Sequence, residues 1–91
     1  MTPEMLADIH ARAMQTPAPW GVQDFIGFLN KPEVFLVHET AGFALGRVVF
    51  DDAEVLTLAV SPECQRKGLG KRILQKFETE AQNRGAHRAF L

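Results

Sequence analysis

The amino-acid sequence predicts an α/β (α+β) domain in which two N-terminal helices precede an antiparallel three-stranded meander and a strand–helix–strand unit. Three observations lead to this class. Apolar residues recur at helical spacing before residue 30, continuous β-branched and aromatic runs follow after residue 33, and helical spacing returns over residues 68–84. The length of 91 residues, with 46% hydrophobic and 23% charged residues, is that of one small globular domain.

Two short amphipathic helices are predicted before residue 30. Thr2 suits the N-cap and Pro3 the first helical position, and an apolar stripe follows over residues 3–14: Met5, Leu6, Ile9 and Ala13. Residues 16–19 read Thr-Pro-Ala-Pro and end this helix, because proline cannot continue the backbone hydrogen-bond ladder. A second helix, which stops at residues 30–32, is predicted from a second stripe: Val22, Phe25, Ile26 and Leu29.

Residues 34–60 predict three antiparallel strands. The runs 34–38, 43–50 and 54–60 are rich in β-branched and aromatic residues, and residues 40–42 and 51–53 connect them. Connections this short demand hairpins, since a parallel crossover needs about a dozen residues or more. A helix over 68–84, with Gly85 just past its end, then leads to a strand over 87–91. A right-handed βαβ crossover places this last strand parallel to the third.

Charge is distributed unevenly along the chain, although the net charge is only −1. Residues 1–63 hold nine acidic and three basic residues, whereas residues 64–91 hold two acidic and seven basic ones. Four of these bases fall within seven positions: Arg66, Lys67, Lys71 and Arg72. The cluster predicts a site for a small anion, with a solvated charged face as the alternative. It disfavours a nucleic-acid partner, which needs an extended basic stripe or stacking aromatics.

Several other classes are excluded or disfavoured. No stretch approaches the roughly 18 apolar residues of a membrane span, and the first five residues lack the features of a secretory signal. Cys64 is the only cysteine, which excludes an intramolecular disulfide and a cysteine-based zinc site, and we expect a cytoplasmic protein. The histidines, His10, His38 and His87, lack metal-ligand spacing, so surface or strand-face roles and no bound metal are expected.

Residues 65–71, Gln-Arg-Lys-Gly-Leu-Gly-Lys, lie between a predicted strand end and a predicted helix start. Gly68 and Gly70 allow a tight turn and the close approach of a ligand to the backbone. The first helical turn presents unpaired N–H groups and the positive end of the helix dipole, to which the neighbouring Arg and Lys side chains add charge. This combination predicts a phosphate-binding site.

Two common phosphate motifs do not fit this segment. A Walker A loop is excluded because residues 70–72, Gly-Lys-Arg, lack both its spacing and its hydroxyl. A dinucleotide-binding fingerprint is excluded because Ile73 stands where a third small residue is needed, and no acidic residue follows about twenty positions on.

The pattern that does fit is Q/R-x-x-G-x-G/A, and with its flanking segments it resembles the GNAT superfamily of N-acetyltransferases. The wider match runs over residues 54–91: Glu-Val-Leu-Thr-Leu-Ala-Val-Ser-Pro, the segment 65–70, an amphipathic helix and a strand. The resemblance implies the acyl-CoA N-acyltransferase fold and acetyl-CoA as co-substrate. It implies that the pantetheine arm and thioester lie along Leu58, Ala59 and Val60. It also implies the residues that face the pyrophosphate: Arg66, Lys67, Gly68, Leu69, Gly70 and Lys71.

The N-terminal part is similar to the ribosomal-protein-alanine N-acetyltransferase branch, through its two helices, residues 19–20 (Pro-Trp) and residues 42–47 (Gly-Phe-Ala-Leu-Gly-Arg). This implies direct attack by a primary amine, the N-terminal α-amine of a protein, in a ternary complex. In that branch the domain continues beyond the position of Leu91 with acceptor-site residues, so residues 1–91 are interpreted as a C-terminally truncated GNAT domain holding the acetyl-CoA-binding part. The alternative is a non-catalytic CoA-binding or assembly module without the acceptor half.

Glu54 is the candidate general base within the chain. It begins the third strand, six residues before Val60, where some relatives in the superfamily carry a catalytic glutamate. The attacking amine must be neutral: a lysine amine, with a pKa of about 10.4, costs roughly 4.6 kcal/mol to deprotonate at pH 7, whereas an α-amine has a pKa of about 8. A water-mediated carboxylate therefore suffices for an α-amine. A solvated carboxylate at the start of a strand is the alternative.

Three further expectations concern packing. Cys64 is interpreted as a small loop residue, because no His or Asp in the loop could activate it. Trp20 either lines an acceptor groove or anchors the corner between the first two helices. The last strand has one partner, so its free edge and part of the helical stripe at Leu69, Ile73 and Phe77 are expected to be exposed and to favour self-association.

Overall fold

The computed structural model describes residues 1–13 and 19–90. Two helices, α1 (Pro3–Ala13) and α2 (Val22–Leu29), precede three strands, β1 (Val34–Glu39), β2 (Gly42–Val49) and β3 (Asp52–Val60). A short 3-10 turn (Pro62–Cys64) then leads to helix α3 (Leu69–Asn83) and strand β4 (Arg88–Phe90). The predicted class and order of elements are confirmed. No helix in the described ranges is long and apolar enough to cross a membrane.

Both N-terminal helices begin where the sequence predicts, because a polar side chain caps each of them. Thr2 Oγ1 accepts a hydrogen bond from the Met5 N–H at 3.2 Å at the start of α1. Asp24 Oδ2 accepts one from the Gly21 N–H at 2.9 Å, which fixes the entry to α2. The predicted break at residues 16–18 and position 14 of the first predicted helix lie outside the described residues.

The sheet has the order β1-β2-β3-β4, with β1 to β3 antiparallel and β4 parallel to β3. The meander and the parallel last strand are therefore confirmed. Both predicted connections were wrong in their bounds: Glu39 pairs with Gly42 and Val49 with Asp52, so the turns consist of residues 40–41 and 50–51. Gly42 therefore lies within β2, and residues 52–53 lie within β3. Pairing continues up to the turn because two residues are enough to close a hairpin. Phe50 takes a φ of 55°, in the left-handed region.

The sheet separates two helical layers. Helices α1 and α2 cover one face through a cluster of buried residues: Leu6, Ile9, Phe25, Val34, Phe43, Leu45 and Ala59. Helix α3 covers the other face through Leu69, Ile73, Phe77 and Ala81, which pack on Phe35, Ala44, Ala53 and Val60.

The expectation that the α3 stripe is partly exposed was wrong. Leu69 is 7% exposed, and Ile73 and Phe77 are fully buried. The Phe77 ring stacks on Phe35 of β1 at 5.4 Å between centroids, so the antiparallel strands cover the stripe without help from a further element. This close packing needs Gly46 of β2, since a Cβ there would overlap the Phe77 ring.

Helix α3 ends as the sequence predicts. Gly85 takes a φ of 91°, and its N–H donates to the Gln82 carbonyl at 3.0 Å. The Ala86 N–H donates to the Ala81 carbonyl at 3.0 Å. Together these bonds form a Schellman motif, which turns the chain toward β4.

Strand β3 contains a bulge opposite β2. Leu45 pairs with Thr57 and Gly46 with Val55, so Leu56 is an extra residue in β3. Side chains normally alternate between the two faces of a strand. At the bulge, Leu56 and Thr57 both face the α1–α2 layer, where Thr57 contacts α1. Because of the bulge, Ala59 faces the α1–α2 layer, whereas Leu58 and Val60 face the α3 layer.

Candidate functional site

The loop between β3 and α3 is held against the end of β3 by two hydrogen bonds. In the 3-10 turn, the Cys64 N–H donates to the Ser61 carbonyl at 2.9 Å. The Gln65 side chain donates from Nε2 to the Val60 carbonyl at 3.1 Å. Gln65, the first residue of the predicted motif, therefore fixes the loop to the strand that precedes it.

Helix α3 begins with uncapped amides. Gly68 is the N-cap, with a φ of 75°, and has no side chain that could accept a hydrogen bond. The N–H groups of Leu69, Gly70 and Lys71 have no acceptor within the helix, whose first amide bond runs from Arg72 to the Gly68 carbonyl at 3.2 Å. A Cβ at Gly70 would meet no atom within 4 Å. The first turn therefore offers unpaired donors in open space.

Three of the four clustered bases have no ionic partner among residues 1–13 and 19–90. Arg66, Lys67 and Lys71 are exposed, and none of them forms an ion pair with another residue that the structure describes. Arg72 differs, because its Nε donates to Glu39 Oε1 at 3.1 Å. The helix start and these three cations form the candidate anion site, and they are the three cations that the sequence resemblance predicts for it.

Glu39 of β1 neutralises the other cations beside the loop. Its carboxylate accepts hydrogen bonds from Lys76 and from Arg72, and these bonds lower the pKa of the carboxyl group below its usual value. Lys76 Nζ also donates to the His38 carbonyl at 2.9 Å. Glu39 therefore ties α3 to β1, and its negative charge is already paired.

A shallow cleft of about 220 Å³ lies beside the loop. Its lining comes from the β1–β2 connection, the loop and the first turns of α3: Glu39, Thr40, Ala41, Cys64, Lys67, Leu69 and Arg72. Cys64 is half-buried and packs against the cluster that contains Val60 and Leu69. This packing agrees with its interpretation as a small loop residue.

Leu58, Ala59 and Val60 lie at the end of β3 that leads into the loop. On one side they pair with residues 42–44 of β2. On the other side, β4 pairs only with residues 52–54 in the part of the chain that is described. The second backbone edge of the 58–60 segment therefore has no strand partner there and can hydrogen-bond an extended ligand.

Glu54 lies toward the opposite end of β3. Its Oε1 accepts a hydrogen bond from Arg47 Nη2 at 2.5 Å, and Arg47 is its cross-strand partner on β2. Both side chains are about half exposed. Four residues of extended strand, about 13 Å, separate Glu54 from Leu58. The structure does not bring Glu54 together with the other predicted site residues, and its catalytic role stays a prediction.

Two aromatic side chains occupy the corner between α1 and α2. His10, expected on a surface or strand face, is only 2% exposed, so that expectation was wrong. It lies four residues after the buried Leu6, and this spacing is the signal that could have revealed it. Trp20 packs on His10 and Phe25 and stacks on Phe28 with 4.8 Å between ring centroids. Trp20 therefore anchors the corner, one of its two predicted roles.

The remaining histidines, His38 and His87, are exposed, as expected. Within residues 1–13 and 19–90 no three His, Cys, Asp or Glu side chains are grouped so that they could hold a metal ion.

Arg12, which the sequence did not single out, joins α1 to the start of the loop. Its Nη1 donates to Glu63 Oε1 at 2.9 Å and its Nη2 to Ser61 Oγ at 3.2 Å, and it also pairs with Asp8. The backbone N–H of Glu63 and then the Arg12 guanidinium lower the pKa of the Glu63 carboxyl group. These partners lie about fifty positions away along the chain, so no local pattern could have shown the contact.

Comparison with known proteins identifies the family. The model of the acetyltransferase (GNAT) family matches residues 4–91, a range that includes the strand, loop and helix of the candidate site. The chain belongs to the GNAT acetyltransferase family. This is the family that the sequence motif predicts.

Two curated relatives that match the chain carry the same name. The chain is 31% identical over 90 residues to the [ribosomal protein bS18]-alanine N-acetyltransferase of Escherichia coli, covering 92% of this chain and 60% of that protein. It is 36% identical to the Salmonella typhimurium protein of the same name, covering 74% of this chain and 48% of that protein. The chain thus spans about half to three fifths of the length of the curated relatives that it matches.

Solved structures confirm the fold. The crystal structure of the ribosomal-protein-alanine N-acetyltransferase from Escherichia coli matches with a TM-score of 0.76 and 28% identity, over 92% of this chain and 56% of that chain. An aminoglycoside 6'-N-acetyltransferase complexed with coenzyme A matches with the same TM-score at 19% identity, over 92% of this chain and 51% of that chain.

Proposed function

We propose that the chain binds acetyl-CoA at the junction of β3 and α3, for transfer of the acetyl group to the N-terminal α-amine of a protein. The observation that carries this proposal is the uncapped start of α3, next to three exposed cations that form no ion pair with a described residue: Arg66, Lys67 and Lys71. It lies next to the strand segment 58–60, whose second edge is free in the described residues.

The residues of this junction fit acetyl-CoA. Its pyrophosphate would take hydrogen bonds from the amides of residues 69–71, and each contact of an anion with a helix start contributes about 0.3–1 kcal/mol. Gly70 leaves room for this approach, since nothing lies within 4 Å of the position of a Cβ there. The pantetheine arm carries amides, which would pair with the free backbone edge of Leu58, Ala59 and Val60.

Acetyl-CoA would supply the electrophilic thioester carbonyl, and this chain's residues would hold it beside the acceptor. Holding two reactants in one geometry is itself a large part of the rate gain. An α-amine is the proposed acceptor because about half of it is neutral near pH 8, whereas a lysine amine is almost fully protonated there. The curated relatives are also named for alanine acetylation of ribosomal protein bS18. Glu54 is the proposed base, acting through a water molecule from the start of β3.

The test combines binding and turnover. Titration calorimetry with acetyl-CoA should show saturable binding, and any acetyl transfer should go to the α-amine of a peptide that begins with alanine. The same peptide with a blocked N-terminus and a free lysine serves as control and should stay unmodified. Binding without transfer to any amine would support the alternative of a non-catalytic CoA-binding module. A chain that does not bind acetyl-CoA would contradict both functions.

Two further proposals follow the same reading. We place the protein in the cytoplasm, where a lone cysteine such as Cys64 stays reduced.

We also propose that the free edge of β4, which has β3 as its one strand partner in the described residues, pairs with a second copy of the chain. Light scattering over a dilution series tests this pairing, and a monomer at all concentrations would contradict it.

A further inference from the structure

His10 is a buried side chain that is hydrogen-bonded at both ring nitrogens. Its Nδ1 lies 2.9 Å from the backbone nitrogen of Trp20, and an N–H group can only donate, so Nδ1 accepts and carries no proton. The proton of the neutral ring is therefore on Nε2, which donates to Thr57 Oγ1 at 2.9 Å. The two contacts define a single tautomer.

The contact with Thr57 lies at the bulge of β3. Thr57 follows the extra residue Leu56, is 8% exposed, and faces the α1–α2 layer because of the bulge. Without the extra residue, strand alternation would turn the Thr57 hydroxyl toward the apolar α3 layer, where it would be buried among aliphatic and aromatic side chains. The same change would turn each residue of the segment 58–60 to the opposite face.

We propose that His10 is a positioning residue for the acetyl-CoA site: as the neutral Nε2–H tautomer, it holds the β3 bulge at Thr57 and thereby the register of the 58–60 backbone. The ligand part of this inference rests on the proposed function. His10 does not touch the ligand in this scheme. One of its ring nitrogens contacts Thr57 of β3, and the other contacts Trp20, which leads into α2. The His10 side chain thus links β3 to the layer that α1 and α2 form.

The surroundings of His10 make its hydrogen bond from the Trp20 N–H dependent on pH. The side chains that face it from α2, β2, β3 and the connection before α2 are Phe25, Phe43, Thr57 and Trp20, none of which is charged. On α1 the nearby charged side chains, Asp8 and Arg12, pair with each other. Residues 14–18 read Met-Gln-Thr-Pro-Ala and hold no titratable side chain.

Protonation of His10 breaks one of its two bonds. A second proton would occupy Nδ1, displace the Trp20 N–H, and leave a buried charge without a counter-ion. Burial accordingly lowers the pKa of His10 below its ordinary value of 6.5. Because the unfolded chain takes up this proton near pH 6.5 and the folded chain only at lower pH, the free energy of unfolding decreases as the pH falls below about 6.5.

Four variants separate the two hydrogen bonds of His10. His10→Gln keeps a terminal N–H in place of Nε2 and so preserves the bond to Thr57, whereas His10→Asn keeps an acceptor in place of Nδ1 and preserves the bond from Trp20. Thr57→Ser retains the hydroxyl and Thr57→Val removes it. Chemical denaturation shows which variants fold. Gln and Asn differ by one methylene at position 10, and valine has the shape of threonine at position 57.

Three measurements decide the proposal. Ala59 lies two residues before Ser61, whose N–H donates to the Ala41 carbonyl, so the Ala59 N–H also faces β2. Amide hydrogen exchange at Ala59 should be slow in the parent chain, His10→Gln and Thr57→Ser, and at least tenfold faster in His10→Asn and Thr57→Val. Acetyl-CoA affinity by calorimetry should follow the same division at pH 7.5. The free energy of unfolding should fall more steeply between pH 7.5 and 5.5 in the parent than in His10→Gln, because only the parent has a ring at this position that can take up a proton. Equal exchange in all four variants would overturn the role of His10. A parent chain that fails to bind acetyl-CoA would overturn the proposed function instead, since the exchange measurement still decides whether His10 sets the strand register.

Discussion

The two ends of β3 have opposite electrostatic arrangements. At its start, Glu54 is paired with Arg47 on β2, and Asp52 is paired with Arg88 of β4 at 2.8 Å. At its end, the loop 65–68 and the first turn of α3 present uncapped amides and three cations that have no ionic partner in the described part of the chain. The charges at the start of the strand are neutralised by ion pairs with the neighbouring strands. The cations at its other end remain available to an anion.

This difference shows that an anion-binding site is indicated by cations without ionic partners, and not by the number of charged residues. Exposed ion pairs such as Arg47–Glu54 contribute only about 0–1 kcal/mol each, and their charges are already satisfied. The basic cluster shows the same difference. Arg72 is hydrogen-bonded to Glu39, whereas the neighbouring Lys71 has no ionic partner in the described part of the chain. We therefore expect ligand affinity to depend on the end of β3 and to be insensitive to its start.

The largest expected effect comes from filling the space above the first turn of α3. Gly70→Leu introduces a side chain where nothing lies within 4 Å of a Cβ. Leucine is more favourable in a helix than glycine by up to about 1 kcal/mol, so the fold should be kept. The leucine side chain should block the approach of the pyrophosphate. We expect titration calorimetry to show a loss of acetyl-CoA affinity of about 100-fold, roughly 2.8 kcal/mol.

Gly27→Leu is the matched control for this change. Gly27 is an exposed helical glycine in α2, and a Cβ there also meets nothing within 4 Å. Its affinity for acetyl-CoA should equal that of the parent chain. Gly68 is less suitable as a probe, because its φ of 75° would strain any other residue and confuse folding with binding. Parental affinity in Gly70→Leu would contradict the assigned site.

A smaller effect is expected from the cations. Lys67→Gln and Lys71→Gln should each weaken acetyl-CoA binding about three- to tenfold at low salt, because each loses a charge-assisted contact with a phosphate. The loss should shrink near 1 M salt, where charges are screened over about 3 Å. Arg72→Gln is the control and should change the affinity less than about twofold, since Arg72 is bonded to Glu39. Affinity that does not respond to salt would assign the binding energy to the pantetheine contacts.

The smallest expected effect on affinity lies at the start of β3. Arg47→Gln and Glu54→Gln should each lower the free energy of unfolding by at most about 1 kcal/mol and leave acetyl-CoA affinity unchanged. If transfer to an alanine-terminated peptide is observed, Glu54→Gln should lower kcat, whereas Arg47→Gln should not. Equal turnover in the two variants would assign Glu54 to the ion pair alone.

The order and type of the elements could be predicted from the sequence because they depend on local patterns. The cap at Thr2, the glycine at 85 and the change from helical to strand periodicity each act within a few residues. The burial of Phe77 could not be predicted in this way, since it depends on the approach of β1 and β2 to α3. The turn at Phe50 was missed because an aromatic residue at positive φ is uncommon and its type favours a strand.

The chemistry of the loop was determined by the sequence itself: the motif of residues 65–70, the basic cluster and the helix start follow from neighbouring residues, and the family match agrees with them. The tertiary structure alone decided which cations remain unpaired among the described residues, where β3 bulges and which side chain His10 contacts on β3. The physical reason is distance along the chain, because Glu39 lies 33 positions from Arg72 and Thr57 lies 47 positions from His10. Such contacts form only when the helical layers close on the sheet, and no periodicity or motif in the sequence records them.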